Sequence, residues 1–132
     1  MIVVDTSALI VLVQSEAAAD QCQAALRNQD QLIISAGTYA EALIVATMRG
    51  LREEMDKLFE ITIFQIVPVT PERARLAAAA YSLWGKGAHP ASLNYGDCFS
   101  YATAKEFDCP LLYIGNDFTR TDIVSAISPS QT

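Results

Sequence analysis

The opening of the chain, Met-Ile-Val-Val-Asp-Thr-Ser over residues 1–7, constrains its fold more than any other stretch. A continuous run of apolar residues that ends in an acid is typical of a strand buried on both faces of a parallel sheet. Asp5 then stands at the carboxyl end of the strand, the edge at which open α/β sheets bind ligands. The hydroxyl of Thr6 or of Ser7 is predicted to cap a helix that begins near Ala8. The alternative to a functional role for Asp5 is that it is only a turn residue or a helix cap.

Length and composition predict one domain, residues 1–132, with a substantial buried core. The chain has 132 residues, of which 52% are hydrophobic, so it is not a disordered chain. It has neither an apolar run of membrane-spanning length nor a basic leader, which predicts a cytoplasmic protein. The net charge of −6 argues against a broad basic face for nucleic acid, but it leaves room for a small acidic site that binds cations.

The cysteine and histidine content excludes two common kinds of site. Cys22, Cys98 and Cys109 form an odd set without paired spacing, which predicts reduced, mostly buried thiols rather than a zinc site or a disulfide framework. The single His89 cannot anchor a histidine metal site, and no nucleophile near it in sequence suggests a catalytic triad.

Strands and helices alternate along the rest of the chain. This alternation predicts an α/β domain with a central, mostly parallel sheet of four or five strands and helices on both faces. Ser15 is the predicted N-cap of the second helix, and Pro68 indicates an edge strand. The irregular segment 85–92 is either a functional loop or a plain connector. The first predicted strand covers residues 2–4, and the other three cover 32–35, 66–70 and 111–114. After the first helix, further helices are predicted over 16–28, 39–49, 51–64, 71–84 and 95–107. A short helical stretch is also predicted within 118–124.

Four acids are predicted to lie at the same edge of the sheet. Asp5 and Asp117 follow the first and last strands, and Glu41 and Asp97 fall in the first turns of helices that begin at the same edge. Taken singly, each has an ordinary alternative role as a cap, a turn residue or an acid that favours the helix dipole. Because parallel strands end at one edge, the four carboxylates are expected to converge there. Asn94 caps the helix of Asp97, which is expected to keep that carboxylate ionised.

Convergent carboxylates indicate a cation site. Like charges in one place repel one another unless a cation neutralises them. Oxygen ligands without histidine or cysteine favour Mg²⁺ or Mn²⁺ over zinc. Such ions activate water and stabilise the oxygens of a phosphodiester during its displacement.

Several segments resemble the VapC toxins of the PIN-domain ribonuclease family, and together they span nearly the whole chain. They are Val-Val-Asp-Thr-Ser-Ala at 3–8, Glu41 followed by Arg-Gly at 49–50, Leu-Asn-Tyr-Gly-Asp-Cys-Phe-Ser-Tyr-Ala at 93–102, and Leu-Leu-Tyr-Ile-Gly-Asn-Asp-Phe at 111–118 with Thr-Asp-Ile at 121–123.

The resemblance implies the toxin of a type II toxin–antitoxin pair. Such a protein cleaves RNA with Mg²⁺ or Mn²⁺ and is neutralised by a cognate antitoxin. Asp5 and Asp97 are then direct metal ligands, and Glu41 and Asp117 complete the site directly or through water.

The resemblance also implies supporting residues and partners. Ser7 and Asn94 are expected to orient ligands or water. Asn116 stands where many relatives carry an acid, so a second metal is less firmly implied. The implied partners are an RNA, with transfer RNA among the candidates, the antitoxin, a second copy in a homodimer, and a higher toxin–antitoxin assembly.

Two surfaces are predicted to carry these protein partners. Helices 16–28 and 51–64 look amphipathic, and an antitoxin segment is expected to fill an apolar groove between them, with Met55 and Leu58 in contact. The alanine-rich helix face over 77–84 offers a flat surface for a second copy.

Other functions fit parts of the same pattern. A phosphohydrolase with Asp5 as its nucleophile needs a second acid two residues on, where this chain has Ser7. A response-regulator receiver has the same layers, but its paired acids and late lysine are missing. A catalytically inactive PIN-like module that acts only by binding a partner is the third alternative.

Overall fold

The computed structural model describes residues 1–127, which form four strands and six helices. The strands are β1 (Ile2–Val4), β2 (Leu32–Ser35), β3 (Gln65–Val67) and β4 (Leu111–Leu112). The helices are α1 (Thr6–Gln14), α2 (Ala19–Arg27), α3 (Ala36–Met48), α4 (Arg52–Ile61), α5 (Pro71–Trp84) and α6 (Tyr95–Glu106). None of these helices has both the length and the apolar character needed to span a membrane.

The strands form one sheet in the order β3-β2-β1-β4, and each neighbouring pair is parallel. The predicted α/β class is therefore confirmed, with four strands. The third strand lies at the edge, as predicted, and it ends just before Pro68. Because all four strands run the same way, their carboxyl ends meet on one side of the sheet.

Side-chain alternation along the strands produces two cores, one on each face of the sheet. Val4 points into the core made with α1 to α4, and its neighbour Val3 points into the core made with α5 and α6. Ile34 and Ile33 divide in the same way on the next strand. A strand buried on both faces must be apolar at every position, which explains the continuous apolar runs. The predicted helices on both faces are confirmed.

Two predictions about helix starts are wrong: Thr6 or Ser7 as the cap of the first helix, and Ser15 as the cap of the second. The first helix begins at Thr6, and Asp5 itself is its N-cap, accepting a hydrogen bond from the Ser7 amide. Ser15 ends that helix in a left-handed conformation, with φ of 52°, so it cannot begin the next one. The second helix begins only at Ala19, without a side-chain cap. The other predicted boundaries differ from the structure by up to three residues.

Glu41 does not lie in the first turn of its helix. The third helix begins at Ala36, directly after β2, so Glu41 falls in the second turn. Gly37 makes this early start compatible with packing, because a Cβ there would lie 2.9 Å from the Phe99 ring.

The predicted helical stretch within 118–124 is also wrong, because this segment forms turns. The hydroxyls of Thr119 and Thr121 donate to the carbonyls of Asn116 and Phe118, both at 2.8 Å. Such local hydrogen bonds from side chain to backbone compete with helix formation.

Candidate active site

A cavity of about 460 Å³, here called the acid cavity, opens where the carboxyl ends of the strands meet, and all four predicted acids line it. Asp5 and Asp97 are 4% and 8% exposed, Glu41 is half-buried, and Asp117 is exposed. The predicted supporting residues Ser7 and Asn94 also line the cavity.

Asp5 is held by hydrogen bonds to both of its carboxylate oxygens. The amide and hydroxyl of Ser7 donate to Oδ2 at 3.1 and 2.7 Å, and the Ser100 hydroxyl donates to Oδ1. The Ser7 hydroxyl also accepts from the Ile114 amide at 3.0 Å, which connects the end of β1 to the segment after β4. The Thr38 hydroxyl lies 3.2 Å from Ser100 Oγ and donates to it, because the Ser100 proton is directed at Asp5.

Asp97 is fixed at the beginning of α6 by a capping box. The Asp97 amide donates to Asn94 Oδ1 at 2.8 Å, and the Asn94 amide donates to Asp97 Oδ2 at 3.0 Å. This reciprocal pair satisfies two amides that a helix start leaves without partners. It holds the Asp97 carboxylate at the rim of the acid cavity by one of its two oxygens.

Glu41 reaches the cavity because of two residues whose roles the sequence did not indicate. The Thr6 hydroxyl donates to Glu41 Oε1 at 2.6 Å. Glu41 Oε2 lies over Gly96, where a Cβ would be only 2.1 Å away. A side chain at position 96 would therefore displace the Glu41 carboxylate.

Asp117 approaches from the turn that follows β4, in which Gly115 has a φ of 97°. A positive φ of this size favours glycine. Asn116 precedes it in the same turn but does not line the acid cavity; its carbonyl accepts from the amide and hydroxyl of Thr119. Within residues 1–127, no hydrogen bond of the Asn116 side chain accounts for its predicted supporting role, which stays a prediction.

Burial raises the pKa values of three of the acids, and repulsion between carboxylates adds to the effect for two of them, Glu41 and Asp97. Burial is the largest cause for Asp5, and the hydrogen bonds from Ser100 and Ser7 act in the opposite direction. Burial also raises the pKa of Glu41, with added repulsion from Asp5 and Asp117. Burial raises the pKa of Asp97 to about 7, and the charges of the other three acids add to it. The hydrogen bond from the Asn94 amide lowers the pKa of Asp97, as expected, but desolvation outweighs it in the metal-free protein.

The donors around the acid cavity fit a hard divalent cation. Its lining offers carboxylate, hydroxyl and amide oxygens, and no histidine or cysteine within residues 1–127 belongs to it. In that part of the chain no three histidine, cysteine or acidic side chains are close enough to hold one ion as they stand. The carboxylates therefore share a cavity without forming a preformed cage, so a cation held directly by two of them would take further oxygen ligands from water.

Several residues that build this site were not predicted to contact its acids. They are Thr6, Thr38, Arg49, Gly96 and Ser100. The sequence could have predicted that Ser100 lies at the site, because it follows Asp97 by three residues on a helix and therefore lies on the same face. The others contact residues distant in sequence, which periodicity does not indicate.

The PIN domain family model matches residues 2–124. The chain belongs to the PIN-domain family. Two relatives from Mycobacterium tuberculosis, ribonuclease VapC28 and ribonuclease VapC30, are 43% identical over 129 residues and 40% identical over 131 residues. These alignments cover 95% and 96% of this chain and 97% and 99% of the relatives. Within its family the protein is a VapC-type endoribonuclease, and the phosphohydrolase alternative is set aside.

Solved structures agree with this fold. The crystal structure of VapC20 from Mycobacterium tuberculosis, described as a sarcin–ricin loop cleaving toxin, matches with a TM-score of 0.79 at 14% identity and covers 97% of this chain and 100% of that chain. VapBC2 from Rickettsia felis, bound to a promoter DNA fragment, matches with a TM-score of 0.70 at 12% identity, covering 95% and 96%. At these identities the likeness concerns the fold alone.

The raised pKa of Asp97 predicts that the metal-free protein loses stability as the pH rises from about 4 to about 7. The folded state holds a proton on Asp97 up to about pH 7, whereas an ordinary aspartate has a pKa of 3.8. The stabilisation is therefore complete at low pH and lost as the pH passes through the folded value. Asp97→Asn should lack this loss, so its melting temperature in EDTA should rise relative to wild type across the same window.

Thermal melts of both proteins at several pH values measure this difference, with Asp20→Asn on the exposed face of α2 as the control for loss of one charge. A difference between Asp97→Asn and wild type that stays constant with pH would contradict the prediction.

Proposed function

We propose that this protein is the toxin of a type II toxin–antitoxin pair and that it hydrolyses RNA phosphodiesters at the acid cavity with bound Mg²⁺ or Mn²⁺. The observation that carries the proposal is the convergence of four carboxylates, two of them nearly buried, on one cavity. The raised pKa of Asp97 supports it, because burial and the added charges of the other three acids both disfavour the carboxylate, and a bound cation would favour it.

The residues have distinct roles in this proposal. Asp5 and Asp97 bind the cation directly, and Glu41 and Asp117 complete the site directly or through water. Ser100 and Ser7 position the Asp5 carboxylate, and Asn94 positions that of Asp97. The bound cation would activate a water molecule and stabilise the oxygens of the phosphodiester during in-line displacement.

Arg49 is proposed to bind a phosphate of the RNA. It is the only lysine or arginine among residues 1–127 that lines the acid cavity, and its guanidinium donates to Gln14 Oε1 at 3.3 Å. A guanidinium pairs well with phosphate oxygens. This contact would offset the repulsion between the RNA backbone and an acidic protein.

The metal proposal predicts RNA cleavage with Mg²⁺ or Mn²⁺ and none in EDTA. Asp97→Asn and Asp117→Asn should each abolish cleavage while leaving the metal-free protein folded, because each removes repulsion between carboxylates. Gel assays on RNA with circular dichroism of the same samples measure both properties, and Asp20→Asn should cleave as wild type does.

Full activity of the wild type in EDTA would contradict the metal dependence. A folded wild type that cleaves no RNA with either cation would favour the binding-only alternative.

A second hollow of about 810 Å³, here called the helix groove, supports the antitoxin part of the proposal. It lies between α1, α2 and α4, and Leu26, Leu58 and Ile61 are among the residues that line it. Ile61 and Ile63 are 71% and 91% exposed, which leaves apolar surface for a partner segment. Met55, predicted to contact the antitoxin, is fully buried and belongs to the core instead.

Ile61→Glu should weaken binding of the cognate antitoxin by roughly tenfold or more, because it places a charge in an apolar contact. RNA cleavage should be unchanged, since Ile61 does not line the acid cavity. Calorimetric titration with purified antitoxin measures the affinity, and the matched control is Val124→Glu, at an exposed aliphatic residue that lines neither the helix groove nor the acid cavity. Equal affinity of wild type and Ile61→Glu would place the inhibitor elsewhere.

The proposed homodimer uses an exposed stripe of α5. The alanine run is less available than predicted, because Ala77 and Ala80 are buried. Leu76 and Leu83 are 45% and 59% exposed and share the outer face of this helix. Light scattering at micromolar concentration should give the mass of two chains, with Leu83→Glu shifting the protein toward the monomer. A monomeric wild type would contradict the proposal.

A further inference from the structure

An apolar hollow of about 600 Å³, here called the α5–α6 pocket, lies next to the acid cavity. Asn94 lines both, so the two spaces meet at the N-terminus of α6, beside Asp97. A substrate that lies across the acids would therefore extend directly into this pocket.

Tyr95 presents an aromatic ring at the junction. It is 76% exposed although it lies between Asn94 and Asp97, so the core does not require its ring. The ring packs edge-on against Phe99, with centroids 5.1 Å apart and planes at 82°. Phe99 is in turn packed against Gly37, where a Cβ would lie 2.9 Å from the ring. Tyr95 is thus an exposed aromatic ring on a fixed support.

The other walls of the pocket suit a flat ring with a phosphate beside it. Ala74 and Ala78 on α5 have small side chains that leave the pocket wide. Lys86 provides the one ammonium or guanidinium group among the described residues that line it. The Tyr81 hydroxyl donates to the Lys86 carbonyl at 3.2 Å, which holds this part of the loop at the rim.

We propose that the α5–α6 pocket is a nucleotide subsite of the proposed ribonuclease. The base of a nucleotide next to the scissile phosphodiester stacks on Tyr95, and its phosphate pairs with Lys86. Proteins recognise unpaired bases by stacking them on aromatic rings beside basic groups. This inference rests on the proposed function, because it assumes that RNA lies across the acid cavity.

The subsite has a consequence for the form of RNA that is cleaved. A base can stack on Tyr95 only when it is not paired, so cleavage should favour single strands and loops over duplex. The acid cavity alone does not impose this requirement, because a phosphodiester is present in both forms.

The first test measures cleavage kinetics on a short single-stranded RNA of mixed sequence with Mn²⁺. Tyr95→Ala should raise KM by roughly tenfold, with little change in kcat, because a stacked base contributes mainly to binding. Tyr95→Phe retains the ring and should behave like wild type. Val124→Ala truncates an apolar side chain that is 65% exposed and lines neither of these spaces nor the helix groove, and it should keep the wild-type KM.

The second test locates the base. In an RNA that the wild type cleaves at a known bond, each flanking nucleotide is replaced in turn by an abasic one. At one position, the abasic nucleotide should slow cleavage by the wild type by the same factor as the Tyr95→Ala substitution slows cleavage of the intact RNA. The same abasic RNA should be cleaved by the Tyr95→Ala variant no more slowly than the intact RNA is. Lys86→Ala should weaken the dependence of KM on salt concentration, because one phosphate contact is lost.

The outcomes separate this inference from the proposed function. If the folded wild type cleaves no RNA, the proposed function fails. If the wild type cleaves and Tyr95→Ala has an unchanged KM, or if every abasic effect adds to that of the variant, only the subsite is overturned. A change in molar mass caused by Tyr95→Ala would assign the pocket to an interface between copies and would also overturn the subsite.

Discussion

The burial of the Asp5 carboxylate is the constraint on which the rest of the site depends. At 4% exposure the group loses nearly all contact with water, which raises its pKa, and only hydrogen bonds oppose that effect. These hydrogen bonds come from Ser7 on α1 and Ser100 on α6, and Ser100 is itself positioned by Thr38 on α3. One carboxylate therefore fixes three helices relative to β1, and disturbance of any of them would reach the proposed metal site.

The acid cavity also shows why a cation, rather than protonation, suits this site near neutral pH. With a pKa of about 7, Asp97 in the metal-free protein populates both its protonated and its ionised form near neutral pH. Burial is the largest cause of this value, and repulsion from the other acids adds to it; a divalent ion bound at Asp97 would oppose both and shift the group to its charged form. Cation binding and proton release are thus linked, and the apparent affinity for metal should increase with pH.

Local patterns were sufficient to predict most of the fold. The apolar runs gave the strands, and caps such as Thr70 and Asn94 gave the starts of α5 and α6 correctly. The failures have both local and tertiary causes. Hydroxyl-to-carbonyl hydrogen bonds of Thr119 and Thr121 replace the helix predicted in 118–124. Helix α3 begins early with Ser35 as its N-cap, where Gly37 leaves room for the Phe99 ring. The residues of the site likewise fall into those that the sequence could predict and those that it could not. Each acid follows a strand or a helix start and could be predicted, whereas the contact of Ser100 with Asp5 joins residues 95 positions apart.

Helix α1 serves two surfaces with consecutive residues. Ile10 and Val11 line the acid cavity, while Leu12 and Val13 line the helix groove. Among residues 1–127 the two spaces have no lining residue in common, and the groove takes most of its lining from α2, α4 and the segments after them. If the antitoxin occupies the helix groove as proposed, substitutions in α2 and α4 would change which antitoxin binds and leave the lining of the acid cavity unaltered. Helix α1 has no such freedom, because a change at Ile10 or Val11 alters the acid cavity and a change at Leu12 or Val13 alters the helix groove.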